Sequence, residues 1–88
     1  MSVETIKVSR KFEKAYRKLP SDIKATTEKK ENIFRINPFD SRLDTHKLHG
    51  KDSNLWAFSV TSSYRIKFVF LNNNSVLFLE IGTHNIYK

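Results

Sequence analysis

The 88-residue sequence predicts a single α+β domain in which an N-terminal strand and a helical hairpin pack on a small antiparallel β-sheet. Three observations carry that expectation. Apolar residues recur at helical spacing between residues 9 and 37, and three runs with two-residue alternation fill most of residues 55–83. Only Ser62-Ser63 and Asn72-Asn73-Asn74 join those runs, and connections so short imply an antiparallel meander. A chain of this length holds one core, so residues 1–88 form one domain and any site is built on a single layer of packed elements.

Residues 4–8 are rich in β-branched side chains and read as the first strand. Ser9 follows as the N-cap of a helix whose apolar positions are Phe12, Tyr16 and Leu19. Pro20 interrupts the pattern and Ser21 is placed to cap again. Ile23, Thr27, Lys30, Ile33 and Phe34 then trace a second helix that ends at Asn37-Pro38, because the residue before a proline is driven out of the helical conformation. Lys30, on that apolar stripe, is expected to snorkel. Residues 38–54 mix Pro and Gly with several Asp, Ser and Asn and are expected to form a long irregular connection, of a length that is often functional. Strands are expected over 55–61, 64–71 and 75–83.

Alternation assigns side chains to faces. Trp56, Phe58 and Val60 alternate with Ala57, Ser59 and Thr61, and Tyr64, Ile66, Phe68 and Phe70 with Arg65, Lys67, Val69 and Leu71. One face is apolar and the other is mixed and partly cationic. In the last strand Leu77, Leu79 and Ile81 are expected in the core, leaving Val76, Phe78, Glu80 and Gly82 on the opposite side. Continued parity puts His84 on the face of Arg65 and Lys67 unless a bulge intervenes, and Gly82 is a natural place for one.

The absence of cysteine excludes disulfides and thiolate metal sites, leaves the core to packing alone, and fits a reducing cytoplasm. The opening MSVETIKVSRKF has no apolar run of signal-peptide length, and no stretch approaches the roughly 20 apolar residues of a membrane span. The expectation is a soluble cytoplasmic protein with no membrane partner. Sixteen Lys and Arg against nine Asp and Glu give +7, which favours polyanionic partners such as nucleic acid, an acidic protein segment or an anionic membrane. Residues 1–37 carry ten basic and five acidic residues (+5) and residues 38–88 six and four (+2). Most of the excess therefore lies on the helices, where a solvated surface accounts for it as well as nucleic-acid binding does.

RNA can be cleaved by its own 2′-hydroxyl when one group removes that proton, another protonates the departing 5′-oxygen and cations stabilise the phosphate, with no metal or cofactor required. The chain has parts that suit this chemistry. His84 ends the last strand in Gly82-Thr83-His84 and is either an acid-base group at the sheet rim or a surface histidine of the tail. Arg65 is either a phosphate clamp or a cross-strand partner for Glu80. Tyr87 either stacks on a base or packs the tail against the domain. His46 and His49 have a spacing that could bind a metal on one helix turn, but their Gly-flanked loop offers no third ligand and they read as solvated.

Lys47-Leu48-His49-Gly50, Trp56, Tyr64-Arg65-Ile66 and Ile81-Gly82-Thr83-His84-Asn85-Ile86-Tyr87, preceded by a strand and Phe12-Glu13-Lys14-Ala15-Tyr16-Arg17-Lys18-Leu19-Pro20, resemble RelE/ParE-superfamily toxins, especially the RelE/StbE and YafQ-like branch. The resemblance spans nearly the whole chain. It implies the RelE-like fold and the toxin of a type II toxin-antitoxin pair, a ribosome-dependent endoribonuclease that cuts mRNA in the A site without a cofactor or metal. It also implies a cognate antitoxin, whose flexible segment would wrap the domain and neutralise basic surface. His84 resembles the carboxy-terminal acid-base histidine of YafQ-like and YoeB-like enzymes, Arg65 the strand arginine on the scissile phosphate, His46 the loop histidine of YafQ-like enzymes, and Tyr87 the tyrosine near the end of RelE. Lys47, Lys51 and Lys67 are expected to contact RNA.

The pattern also departs from the family. Val60-Thr61-Ser62-Ser63-Tyr64 stand where YafQ-like enzymes have a histidine and an aspartate, and the glutamate base of YoeB-like enzymes has no counterpart. His46 is then the nearest candidate for the base. Two alternatives fit the same sequence: a ParE-like inhibitor of DNA gyrase without nuclease activity, and a noncatalytic RNA-binding module.

Overall fold

The structure, a computed structural model, describes residues 2–50 and 54–87. Its elements run β1 (Thr5–Val8), α1 (Arg10–Arg17), α2 (Ser21–Ile36), a 3₁₀ turn (Ser41–Leu43), β2 (His46–Lys47), β3 (Trp56–Ser59), β4 (Arg65–Asn72), β5 (Ser75–Gly82) and a C-terminal 3₁₀ turn (His84–Tyr87). The α+β class holds, and both helices lie on one face of a five-stranded sheet ordered β1-β5-β4-β3-β2. The sheet is mixed rather than wholly antiparallel, because β1 joins β5 in parallel at its outer edge. The expected irregular connection contains a short strand, in which His46 pairs with Ala57 and Lys47 with Trp56.

Helix boundaries follow local chemistry. Ser9 caps α1 by accepting a hydrogen bond from the Phe12 amide at 3.0 Å. Ser21, in contrast, is the first residue of α2 rather than its cap; Pro20 holds the cap position, with no side-chain cap bond. Proline suits that place because it lacks an N–H that would otherwise go unbonded, and its fixed φ leads into the helix. Asn37 leaves the helix in extended conformation at φ −154°, as the following proline demands. Lys30 is half-buried and donates to the Arg42 carbonyl at 3.2 Å, tying the helix to the first 3₁₀ turn.

The core is an aromatic cluster. Phe34 of α2 stacks on Phe58 with centroids 4.8 Å apart and meets Phe68 and Phe78 edge-on at 5.0 and 5.5 Å. All four rings are fully buried. Phe12 of α1 adds to the cluster through Phe78 at 5.5 Å.

The faces of β5 correct the parity expectation. Val76 and Phe78 are buried in the core, whereas Leu77 and Leu79 are only half-buried. Lys67 pairs with Glu80 but Phe68 pairs with Phe78, so Leu79 is an extra residue, a β-bulge that shifts the alternation by one. Ile81 returns to the core beyond it, and Glu80 and Gly82 fall on the face of Lys67 and Arg65. The bulge forms at Leu79 rather than at Gly82. Ser9 bridges to it, its Oγ donating to the Leu79 carbonyl at 2.8 Å and its amide donating to the Phe78 carbonyl at 3.0 Å.

Phe34→Ala removes the ring that three others pack against and is expected to destabilise the domain by about 3–5 kcal/mol, read as a lowered urea midpoint of Trp56 fluorescence. Ser9→Ala loses a helix cap and a bulge contact together, with an expected loss of about 1–2 kcal/mol in the same assay.

Candidate functional site

The sheet face away from the helices is where the polar strand residues collect. Cross-strand partners share a face, so His46, Ala57, Lys67 and Glu80 form one row across it, and Ser59, Arg65 and Gly82 form the next. The C-terminal 3₁₀ turn folds back over the β4–β5 end of this face. There Ser62, Ser63, Arg65, Thr83, His84 and Tyr87 line an open cleft of about 450 Å³.

Arg65 is anchored from one side. Its Nη1 donates towards the carbonyls of Thr61 at 2.7 Å, Ser62 at 3.1 Å and Tyr64 at 3.2 Å, all in the β3–β4 connection. Nε and Nη2 make no hydrogen bond among the described residues, which leaves a guanidinium edge for an anion. The alternative role as partner of Glu80 is overturned, because Glu80 Oε1 is bonded by Lys11 at 2.9 Å and approached by Lys67 at 3.8 Å. The connection that grips Arg65 is itself ordered by Thr61, whose Oγ1 accepts from the amides of Ser63 and Tyr64 at 3.1 and 3.0 Å.

His84 opens the C-terminal turn and is exposed on the cleft wall. Tyr87 closes the same turn. Partial burial pushes its phenol above the ordinary tyrosine range, while the nearby Arg65 charge pulls the other way and Asp44 adds to the rise. The phenol is thus a neutral hydrogen-bond donor at physiological pH rather than a base. An arginine fork, an imidazole and a phenol in one open cleft can bind an anionic ester, move a proton and hold a developing charge.

The remaining expected site residues are placed differently. His46 lies on the same sheet face at the β2 edge, exposed, with Nδ1 3.0 Å from the Asp44 carbonyl, but it does not line the cleft. Its loop is braced by Asp40, whose carboxyl Arg42 hydrogen bonds hold down at about 2. Lys47 pairs with Trp56 and so points to the helical side of the sheet, away from Arg65. Lys67 is not an accessible RNA contact: it is 8% exposed, and its ammonium donates to the Ile86 carbonyl at 2.8 Å. Lys51 lies outside the described residues. Among the described residues no group of three or more His, Cys, Asp or Glu is placed to hold a metal. Sequence reasoning missed Ser62, Ser63 and Thr83 as cleft residues; the first two were read only as a turn, although their position just before Arg65 is the signal that would have found them.

No protein-family model and no curated protein matches the sequence. Solved structures do match in fold. The chain is similar to the YoeB/ParE toxin from Agrobacterium tumefaciens (TM-score 0.79, 10% identity, 92% of this chain and 99% of that one). It is similar to a chain of the archaeal RelE-RelB complex from Pyrococcus horikoshii OT3 (0.73, 20%, 94% and 96%) and to one of the E. coli DinJ-YafQ toxin-antitoxin complex (0.70, 18%, 98% and 97%). The class that fold and topology define is the RelE/ParE toxin fold. Toxins of the RelE, YafQ and YoeB/ParE kinds share that fold, and the likeness does not separate one branch from another.

The Arg65–Tyr87 proximity can be measured without any activity. Because the guanidinium favours the phenolate, Arg65→Gln is expected to move the Tyr87 ionisation further upward; NMR titration of the tyrosine Cζ signal, assigned with Tyr87→Phe, reads the shift. An unmoved midpoint would place the two groups apart.

Proposed function

We propose that this chain is the toxin of a type II toxin-antitoxin pair and acts as a ribosome-dependent endoribonuclease that cuts mRNA in the A site by acid-base chemistry. The observation that carries the reading is the convergence of Arg65, His84 and Tyr87 on one open cleft. RNA supplies its own nucleophile, the 2′-hydroxyl, so the protein has to provide a base, an acid and a cation. The free edge of Arg65 binds the non-bridging oxygens of the scissile phosphate and stabilises the charge that grows there. His84 protonates the departing 5′-oxygen. Tyr87 donates to the phosphate or stacks on a flanking base. His46, the other imidazole on that face, is the candidate to take the 2′-hydroxyl proton, with RNA lying across β3 between them.

The ribosome fits a cleft so open. A site that does not itself enclose an RNA strand benefits from a partner that presents the strand in a fixed conformation. The net charge of +7 suits both that partner and an acidic antitoxin segment. One of the similar folds comes from a complex named as that of a toxin and an antitoxin, which supports a protein partner of that kind here.

Primer extension on a defined mRNA in a purified translating system tests the reading. Wild type is expected to give cuts only when ribosomes are present, with losses of about 10²–10⁴-fold in His84→Ala and at least about 10²-fold in Arg65→Ala; a comparable loss in His46→Ala assigns the base. Intact mRNA with wild type would sink the nuclease, and inhibition of gyrase supercoiling by the same preparation would then put the ParE-like activity in its place.

A further inference from the structure

The C-terminal turn carries both His84 and Tyr87, yet four residues of 3₁₀ helix do not hold themselves in one place. The Ile86 amide donates to the carbonyl of Thr83, the residue before the turn, at 3.1 Å. Two contacts that tie it to the sheet pass through Ile86, the buried residue of the turn. The Ile86 side chain sits over Gly82 so closely that a Cβ there would lie 2.9 Å from Ile86 Cγ2. The Ile86 carbonyl accepts from Lys67 Nζ at 2.8 Å.

Lys67 is costly to keep as a cation at this depth, since an ammonium removed from water must be recovered through close partners. A methionine of similar length would fill the space without that penalty. The charge is spent on two acceptors: the Ile86 carbonyl and, at 3.8 Å, Glu80 Oε1. Glu80 has a closer cation in Lys11 of α1, at 2.9 Å. What depends on Lys67 alone is therefore the carbonyl of the turn.

We infer that Lys67 is a positioning residue: its buried ammonium holds the C-terminal turn by the Ile86 carbonyl and so sets His84 and Tyr87 against Arg65 across the cleft. Arg65 and Lys67 are two residues apart on one face of β4, so the strand that presents the phosphate-binding group also sets the height of the turn that faces it. Gly82 completes the latch by leaving room for Ile86. The inference rests on the nuclease reading for its effect on cleavage but not for the latch itself.

The test is Lys67→Met in the full chain, with Gly82→Ala as a second variant that leaves the charge in place and crowds Ile86 instead. Far-UV circular dichroism and Trp56 emission confirm folding, which Lys11 supports by keeping Glu80 paired. Hydrogen exchange of the Ile86 and Tyr87 amides is expected to speed up at least tenfold in both variants. In the translating system the cleavage rate at saturating toxin is expected to fall by a similar factor or more, while the toxin concentration for half-maximal rate changes by a smaller factor, because the Arg65 contact is kept even where that of Tyr87 is weakened. Unchanged exchange in folded Lys67→Met overturns the latch. Faster exchange with an unchanged saturating rate overturns the positioning role. If wild type cleaves nothing, the nuclease reading has failed, and exchange alone still decides whether Lys67 holds the turn.

Discussion

Leu79 has no partner across β4, and the geometry of the site follows from that vacancy in the ladder. Before it, β5 turns Val76 and Phe78 into the aromatic core; after it, Ile81 faces the core and Glu80 and Gly82 face the other way. Unbroken alternation would serve one of these sets only. It would bury Val76 and Phe78 together with Glu80, or Ile81 together with Leu77 and Leu79, with Val76 and Phe78 then thrown onto the open face. A bulge lets a strand serve the core along its whole length and still deliver a glycine beside Arg65 at its end. Ser9 makes this register costly to lose, because the hydroxyl that caps α1 also donates to the carbonyl of the bulged residue. Helix start and strand irregularity are thus one joint.

A thin domain has little to spare for the second face. Both helices are committed to the aromatic cluster, and on the sheet's other side the C-terminal turn packs over the β4–β5 end. This asymmetry makes the cleft possible. The buried rings of Phe34, Phe58, Phe68 and Phe78 back the sheet from the helical side and so steady the face that presents Arg65. Arg65 stands at the very start of β4 and is steadied further by its neighbours: three carbonyls surround its Nη1, and the Thr61 hydroxyl orders the β3–β4 connection that supplies them.

The sequence was most legible where one local rule acts alone. Ser9 as cap, Asn37-Pro38 as helix end and the antiparallel meander all follow from neighbours in the chain, and each is present. Arg65, His84 and Tyr87 were legible as candidates for a related reason: an arginine in an apolar strand and a histidine at a strand end depart from the local pattern. What stayed hidden depends on distant partners. β2 is two residues long and exists because β3 offers an edge. The parallel pairing of β1 with β5 joins residues about 70 positions apart, a distance at which periodicity carries no information. The bulge is held by Ser9, 70 residues away between β1 and α1, a contact that no feature of β5 itself announces, and glycine drew the expectation to the wrong residue.

Lys67 shows how far composition can mislead about a basic site. Strand alternation placed it correctly on the face of Arg65, and charge alone then made it a companion contact for a polyanion. Its neighbours decide otherwise: a carbonyl 2.8 Å away and a nearby carboxylate consume the ammonium inside the protein. Lys47 fails for the opposite reason, being exposed but aimed across the sheet. Of the basic residues described on β2 and β4, Arg65 is then the one with unused donors towards the cleft. In the proposed nuclease, surplus positive charge would attract RNA without positioning it, and the task of holding a phosphate would fall to one guanidinium edge fixed from behind by backbone carbonyls.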